Sequence, residues 1–200
     1  MKILLIGATG TLGKAVAERL GSAHDILPAS RHDAHLPVDI TDTASLHALF
    51  ERTGNVDAIV ATTGSLHFGP IQTMTAGQFH IGLMDKLMGQ INLALIGQHY
   101  LSERGSITLT GGVLSHDPIA GGVNASTVNA ALEGFVRGAA VDLAPGLRIN
   151  LVSPTVIRES LPAYGPFFPG NDGVPAERAA GAYVKSIEGA QTGQIYTVWQ

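Results

Sequence analysis

The chain contains no cysteine, only one tryptophan and few charged residues among its 200 positions. Without cysteine it can form no disulfide framework, no zinc–thiolate site and no cysteine nucleophile. Its net charge of −4 argues against a nucleic-acid or anionic-membrane surface, and no run of lysine or arginine offsets that charge. The N-terminal apolar run is too short for a membrane span or a signal peptide. We therefore expect no nucleic-acid or membrane partner, and a reducing cytoplasm as the natural compartment.

The sequence is, in contrast, rich in apolar residues. Apolar residues make up 45% of the chain and charged residues 14%. This composition favours a folded protein with one large hydrophobic core over a disordered chain. Residues 1–200 therefore read as a single domain, with no linker inside it. The eight histidines are scattered without a close pair and a carboxylate, so we predict no metal site.

Short β-rich runs alternate with longer helical patterns along the whole chain. We predict strands at 2–7, 26–30, 36–38, 57–61, 106–110, 148–153 and 194–199. We predict helices at about 11–21, 43–53, 75–100, 125–144 and 175–189. This rhythm indicates the α/β class: a Rossmann-type, doubly wound parallel sheet of about seven strands with helices on both faces. Such sheets bind ligands at the carboxyl ends of their strands.

The first strand runs into the glycine-rich stretch LLIGATGTLG, which contains Gly7, Gly10 and Gly13. Glycine permits a tight turn, close approach of the backbone to a pyrophosphate, and close packing of the following helix. The N-terminus of that helix offers free N–H groups to phosphates. The stretch predicts a dinucleotide site, and the alternative is a turn with a purely structural role.

The second predicted strand ends in Ala-Ser-Arg-His, with Ser30 and Arg31 at its tip. Sites specific for NAD usually carry an acidic residue there, which holds the ribose 2′-hydroxyl. A hydroxyl and a guanidinium instead suit a 2′-phosphate. We therefore predict NADP(H) rather than NAD as the cofactor. A solvated surface arginine is the alternative.

Together these features resemble the short-chain dehydrogenase/reductase family, and the resemblance runs nearly the whole chain. VDITD carries Asp39 and Ile40, which match the family's aspartate and apolar neighbour beside the adenine. ATTG (61–64) stands in place of the family's Asn-Asn-Ala-Gly, and the stretches 131–150 and 148–157 follow family patterns closely. The glycine spacing is that of the family's extended and atypical branches. The resemblance implies nicotinamide-dependent oxidoreduction of a small carbonyl or alcohol substrate.

The glycine loop and the resemblance together define a predicted cofactor-binding set. Asn129 belongs to it because it stands where the family's lysine binds the ribose hydroxyls, although an ordinary polar residue at the cleft edge would give the same pattern. The set comprises Gly7, Thr9, Gly10, Thr11, Leu12, Gly13, Ser30, Arg31, Asp39, Ile40, Thr62, Thr63, Gly64, Asn129, Pro154, Thr155 and Val156.

The family's proton relay, in contrast, is missing from this sequence. In the family, a tyrosine donates the proton, and a lysine four residues later lowers the pKa of that tyrosine. A serine hydrogen-bonds the substrate oxygen, and an asparagine completes a water relay. Alignment on AALEGF puts these roles at Ala125, Asn129, Gly112 and Lys86, so all four residues are replaced. No tyrosine lies anywhere from 101 to 163.

Lys86 is the strongest candidate for a substitute proton donor. Its ammonium can polarise a substrate oxygen, donate a proton or hold an anion. Alternatively, Lys86 ties strand-end carbonyls together or turns outward to solvent. His116 is a weaker candidate, because a lone histidine on a loop is usually a surface residue. Tyr164 lies in a lid-like substrate loop at about 155–175, and packing against Phe167 and Phe168 is its simpler role.

Two hypotheses follow for the whole protein. The first is an NADP(H)-dependent reductase with a non-standard proton donor, and the second is a catalytically inactive NADP(H)-binding sensor or regulatory protein. The family resemblance also implies a homodimer or homotetramer built through the two long central helices. Small residues such as Ala94 and Gly138 would allow that contact, but packing on the protein's own sheet would use the same pattern.

Overall fold

The centre of the molecule is a parallel sheet of seven strands. The computed structural model describes residues 1–32 and 35–200. The strands are β1 Lys2–Ile6, β2 Asp25–Ser30, β3 Leu36–Pro37, β4 Val56–Ala61, β5 Leu101–Thr110, β6 Arg148–Pro154 and β7 Ile195–Val198. Their order is β3-β2-β1-β4-β5-β6-β7, and all neighbours run parallel. The predicted Rossmann-type fold is confirmed, and its strand order reverses between β1 and β4, where such sheets open a ligand crevice.

Helices cover both faces of this sheet. They are α1 Thr11–Gly21, α2 Thr43–Thr53, α3 Ala76–Gly82, α4 Gly89–Gly97, α5 Val123–Asp142, α6 Leu161–Tyr164 and α7 Ala176–Glu188. Short 3₁₀ turns lie at Gln98–Tyr100, Val113–Ser115, Arg158–Ser160 and Gly165–Phe167. No helix in the described ranges is long and apolar enough to cross a membrane.

Two apolar layers hold the sheet between the helices. Side chains alternate along β1, so Leu4 and Ile6 join one layer while Ile3 and Leu5 join the other. The first layer packs against α2, α4 and α5, and the second packs against α1 and α7. Because both faces are covered, the strands can be continuous apolar runs, as the sequence showed.

The long helix predicted at 75–100 is interrupted by a π-helical turn at Leu83–Met88. It begins after a capping box in which Thr75 and Gln78 bond each other's backbone N–H groups. After the π turn, the Gln90 amide bonds both the N–H and the carbonyl of Thr110, at 2.8 and 3.0 Å. The helix is thereby fixed to the carboxyl end of β5, beside the crevice.

Candidate cofactor and substrate cleft

A cavity of about 260 Å³ opens at the carboxyl ends of β1, β2 and β4. Eight of the predicted cofactor-binding residues meet here, together with Asp85, which the sequence had not indicated. The lining residues are Ile6, Gly7, Thr9, Gly10, Ser30, Arg31, His32, Val38, Ile40, Thr62, Thr63, Ser65 and Asp85. This cavity therefore occupies the place that the prediction gives to the adenosine half of a dinucleotide.

The glycine loop beside this cavity forms a tight turn between β1 and α1. Gly7 has φ +86, and a Cβ there would lie 2.8 Å from the Thr62 carbonyl oxygen. A Cβ on Gly13 would overlap the carbonyl oxygen of Gly7, so α1 packs directly on the turn. Gly10 is the N-cap of α1 and contributes no side-chain hydrogen bond, which leaves the first-turn N–H groups free of a side-chain cap. The residues present thus fit a pyrophosphate at this helix end.

Arg31 at the tip of β2 lies between two carboxylates. Its guanidinium is 3.3 Å from Asp39 Oδ1 and 3.4 Å from Asp85 Oδ2. Hydrogen bonds from Thr41 lower the pKa of Asp39, so this carboxyl is ionised at neutral pH. The neighbouring Ser30 hydroxyl donates to the His32 carbonyl oxygen. Arg31 is half exposed and lines the cavity, as a group that meets a 2′-phosphate must.

A second cavity, of about 400 Å³, lies further along the same sheet edge. It collects five further residues of the predicted set, together with Lys86: Gly64, Asn129, Pro154, Thr155 and Val156. The lining residues are Gly64, Ser65, Leu66, Phe68, Lys86, Gly111, Gly112, Val113, Leu114, Asn129, Pro154, Thr155, Val156, Ile157, Ser160, Tyr164 and Phe168. Six of these come from the segment after β6 that the sequence marked as a substrate loop.

Lys86 is only 8% exposed, and its Nζ donates to the Gly111 carbonyl oxygen at 2.9 Å. Burial lowers the pKa of this ammonium to about 8. Gly64 makes room for the side chain, because a Cβ there would lie 2.6 Å from Lys86 Cγ and its φ is +128. The lysine does tie down a strand-end carbonyl, as the structural alternative held. An ammonium has further N–H groups, however, and Lys86 is one of the residues that line the cavity.

The three other positions that the alignment gives to the relay are Ala125, Gly112 and Asn129. Ala125 is fully buried in an apolar cluster with Val113 and Leu114. A Cβ on Gly112 would lie 2.9 Å from Asn129 Nδ2. Asn129 is 2% exposed, and its Oδ1 has no hydrogen-bond partner among the described residues. A buried acceptor that lines a cavity without a partner fits a hydroxyl donor such as a ribose.

His116 lies on the far side of the loop after β5. Its Nε2 is 3.0 Å from Glu133 Oε1, its ring centroid is 5.3 Å from that of Trp199 with the planes tilted by 45°, and it lines neither cavity. Glu133 is 3% exposed and also accepts from Ser115 Oγ at 2.6 Å and from Arg137 at 3.1 Å. Burial opposes its ionisation, but these hydrogen bonds prevail and lower its pKa. The cluster anchors the loop to α5.

A few predicted residues lie beside the cavities without lining them. Thr11, Leu12 and Gly13 form the first turn of α1, and Asp39 faces Arg31. Asp85 and Glu133 were missed altogether. Asp85 adjoins Lys86 in sequence, and consecutive residues on a helix point about 100° apart, so the helical pattern did not indicate that both reach the cleft. Glu133 lies inside the family-like stretch AALEGF, where nothing marked it as buried.

The family model for enoyl-(acyl carrier protein) reductase matches residues 7–186. The chain belongs to the short-chain dehydrogenase/reductase family. A curated member, the 3-oxoacyl-[acyl-carrier-protein] reductase of Buchnera aphidicola subsp. Baizongia pistaciae, is 22% identical over 181 residues, or 79% of this chain and 74% of that protein.

Solved structures of similar proteins agree over the full length. The protein lin1944 from Listeria innocua is 46% identical, with a TM-score of 0.98 and complete coverage of both chains. A small-chain dehydrogenase in complex with NADPH is 28% identical, with a TM-score of 0.88 over 99% of this chain and 96% of that one. The family is one of oxidoreductases.

Proposed function

We propose that the protein is an NADP(H)-dependent oxidoreductase that reduces a small carbonyl compound, with Lys86 as the proton donor. The observation that carries the proposal is the position of Lys86. Its ammonium is buried in the larger cavity, close to Asn129 and the end of β5, and burial lowers its pKa to about 8. A general acid works best when its pKa lies near the working pH.

The cofactor assignment rests on three groups of this chain. The first turn of α1 faces the pyrophosphate, the Arg31 guanidinium pairs with the 2′-phosphate, and the unpartnered Asn129 Oδ1 accepts from a ribose hydroxyl. The 28% identical dehydrogenase solved with NADPH supports the choice of NADP over NAD. When bound, the reduced cofactor supplies the hydride.

Lys86 supplies the proton in this scheme. Its Nζ keeps one N–H on the Gly111 carbonyl oxygen, which fixes the direction of the ammonium. A second N–H donates to the substrate oxygen and transfers its proton as that oxygen gains charge. The neutral amine then regains a proton from water. In the reverse direction, the neutral amine accepts the proton of an alcohol.

The walls of the larger cavity set the substrate class. Leu66, Phe68, Leu114, Ile157 and Phe168 give it an apolar and partly aromatic lining, and no carboxylate lines it in the described part of the chain. Lys86 is the one cation among the described residues that line it. These surroundings suit a small aldehyde or ketone with an apolar or aromatic substituent.

NADPH oxidation against a panel of aldehydes and ketones tests the proposal. Lys86→Met should lower turnover by about 10²- to 10⁴-fold while leaving the Kd for NADPH within about threefold. Wild-type reduction should also fall as pH rises through about 8, because the amine loses its proton there. Lys185→Met is the matched control, since Lys185 is exposed on α7. Full turnover by Lys86→Met, or NADPH binding by wild type without any turnover, would count against the proposal.

We also propose that copies of the chain associate through the outer faces of α4 and α5. A depression of about 350 Å³ lies between these helices, and Leu95 and Val141 beside it are 50% and 83% exposed. Gly138 on this face has open space around it. Light scattering should give twice or four times the 20.8 kDa chain mass for wild type, and the single chain mass for Gly138→Arg. Gly181→Arg on α7, where space is also open, is the control.

A further inference from the structure

The cation proposed for the 2′-phosphate is already paired. Arg31 is the only arginine or lysine that lines the smaller cavity in the described ranges, and both its neighbours at 3.3–3.4 Å are carboxylates. A 2′-phosphate adds about 1.5–2 negative charges at the same place. Any anion that binds Arg31 must therefore compete with Asp39, with Asp85 or with both.

The two carboxylates are held differently. Asp39 Oδ1, the atom nearest Arg31, already accepts from the backbone N–H and the hydroxyl of Thr41 at 2.9 and 2.7 Å, and Asp39 does not line the cavity. Asp85 does line it, and its side chain is only 18% exposed. The backbone N–H of Ser65 donates to Asp85 Oδ1 at 2.9 Å, which leaves Oδ2 directed at Arg31.

Asp85 is thus a fixed negative charge inside the cavity, and it cannot swing away without losing the Ser65 hydrogen bond. The loop that follows β4 and the π turn that carries Lys86 are joined by this bond. A charge held by such a bond opposes an incoming anion more strongly than a mobile surface carboxylate does, because its position does not relax.

We propose that Asp85 is a specificity-determining residue for the cofactor. Its carboxylate competes with the 2′-phosphate for Arg31 and so limits the preference for NADP over NAD. NAD carries a neutral hydroxyl at that position and does not compete. This inference rests on the dinucleotide site of the proposed function, but it concerns how that site discriminates between NADP and NAD.

Asp85→Asn tests the inference, because the amide oxygen can still accept from Ser65 while the charge is gone. Calorimetric titration should show a Kd for NADP about tenfold lower than that of wild type, and a Kd for NAD within about twofold. Glu103→Gln removes the same charge from the opposite end of β5, far from the strand ends that bind ligand, and should change neither constant. Asp85→Ser removes the charge with a smaller side chain and should give the same gain.

The Arg31→Gln background tests the stated cause. If Asp85 acts by occupying Arg31, Asp85→Asn should improve NADP binding by less than about threefold once Arg31 is gone. An unchanged or weakened affinity for NADP in Asp85→Asn and Asp85→Ser, both folded by thermal unfolding, would overturn the inference and leave the proposed function standing. Failure of wild type to bind either dinucleotide would overturn the proposed function, and the inference with it.

Discussion

Lys86 is a charged side chain in a place where proteins usually put an apolar one. Its pKa falls from 10.5 to about 8 because burial disfavours the ammonium, which corresponds to about 3 kcal/mol of strain at neutral pH. The hydrogen bond to the Gly111 carbonyl returns only about 1 kcal/mol of this. A buried lysine that destabilises the fold by this much is more consistent with a catalytic role than with a packing role.

Lys86→Met should therefore raise the free energy of unfolding at pH 7 by about 1–2 kcal/mol. Wild-type stability should rise between pH 8 and 10.5, since the unfolded chain binds the proton more tightly than the folded one in that range. The Met variant should lack this rise. Urea unfolding at several pH values measures both effects, with Lys185→Met as control. A Met variant less stable than wild type would show that the lysine is there to hold the strand end.

For single residues, the sequence indicated the positions of candidate functional side chains but not their hydrogen-bond or ion-pair partners. The family-like alignment pointed to Lys86 and Asn129, since each stands where a functional side chain of the family would, and both line the larger cavity. It could not find the Gly111 carbonyl as the partner of Lys86, nor Asp85 as a partner of Arg31. Asp85 and Lys86 both lie in the π turn at Leu83–Met88, where the sequence predicted only a continuous helix.

The junction of β1 and α1 requires that Gly13 carry no side chain. Gly13→Ala should lower the free energy of unfolding by more than about 3 kcal/mol, because its methyl group would meet the Gly7 backbone, which cannot move away. Gly10→Ala should change it by less than about 1 kcal/mol, since Gly10 has φ −75 and the nearest atom would be 3.4 Å away. Equal losses in the two variants, measured by urea unfolding, would refute this account.

The loop after β5 is joined to α5 by the buried carboxylate of Glu133. Glu133→Gln should destabilise the protein by about 2–3 kcal/mol, because Ser115, His116 and Arg137 would lose a charged acceptor. Its pKa is lowered in the fold, so the difference between wild type and variant should be full above pH 4.5 and shrink as pH falls through the lowered value. Glu103→Gln is the control. A difference that persists unchanged at acid pH would mean that charge is not the cause.

Strands and helices could be predicted because their signals are local. Apolar runs marked all seven strands, and the predicted helix at 11–21 coincides with α1. The start of β5 at Leu101, five residues early, was missed because Ser102, Glu103 and Arg104 are polar. The first four residues of β5 are partly or fully exposed, and of these only Leu101 pairs with β4. Burial therefore does not require apolar residues there.

The molecule as a whole presents one crevice with two ends. The smaller cavity lies over β1, β2 and β4, the larger lies over β4, β5 and β6, and the two neighbours Asp85 and Lys86 reach one end each. A ligand that spans the crevice therefore contacts loops from nearly every strand, and its binding energy is added to the stability of the whole fold.

NADPH should therefore raise the melting temperature of the entire chain. At a concentration about 100 times its Kd, the added free energy is about 2.7 kcal/mol, or roughly 5–10 °C for a domain of this size. Arg31→Glu should weaken NADPH binding by about 10- to 100-fold, which cuts the added free energy at the same concentration to about 0.4–1.4 kcal/mol. The shift given by NADH should not fall, because no 2′-phosphate meets residue 31. Differential scanning calorimetry distinguishes the cases: an equal loss with both cofactors would mean that Arg31 supports the fold of the crevice rather than the recognition of the phosphate.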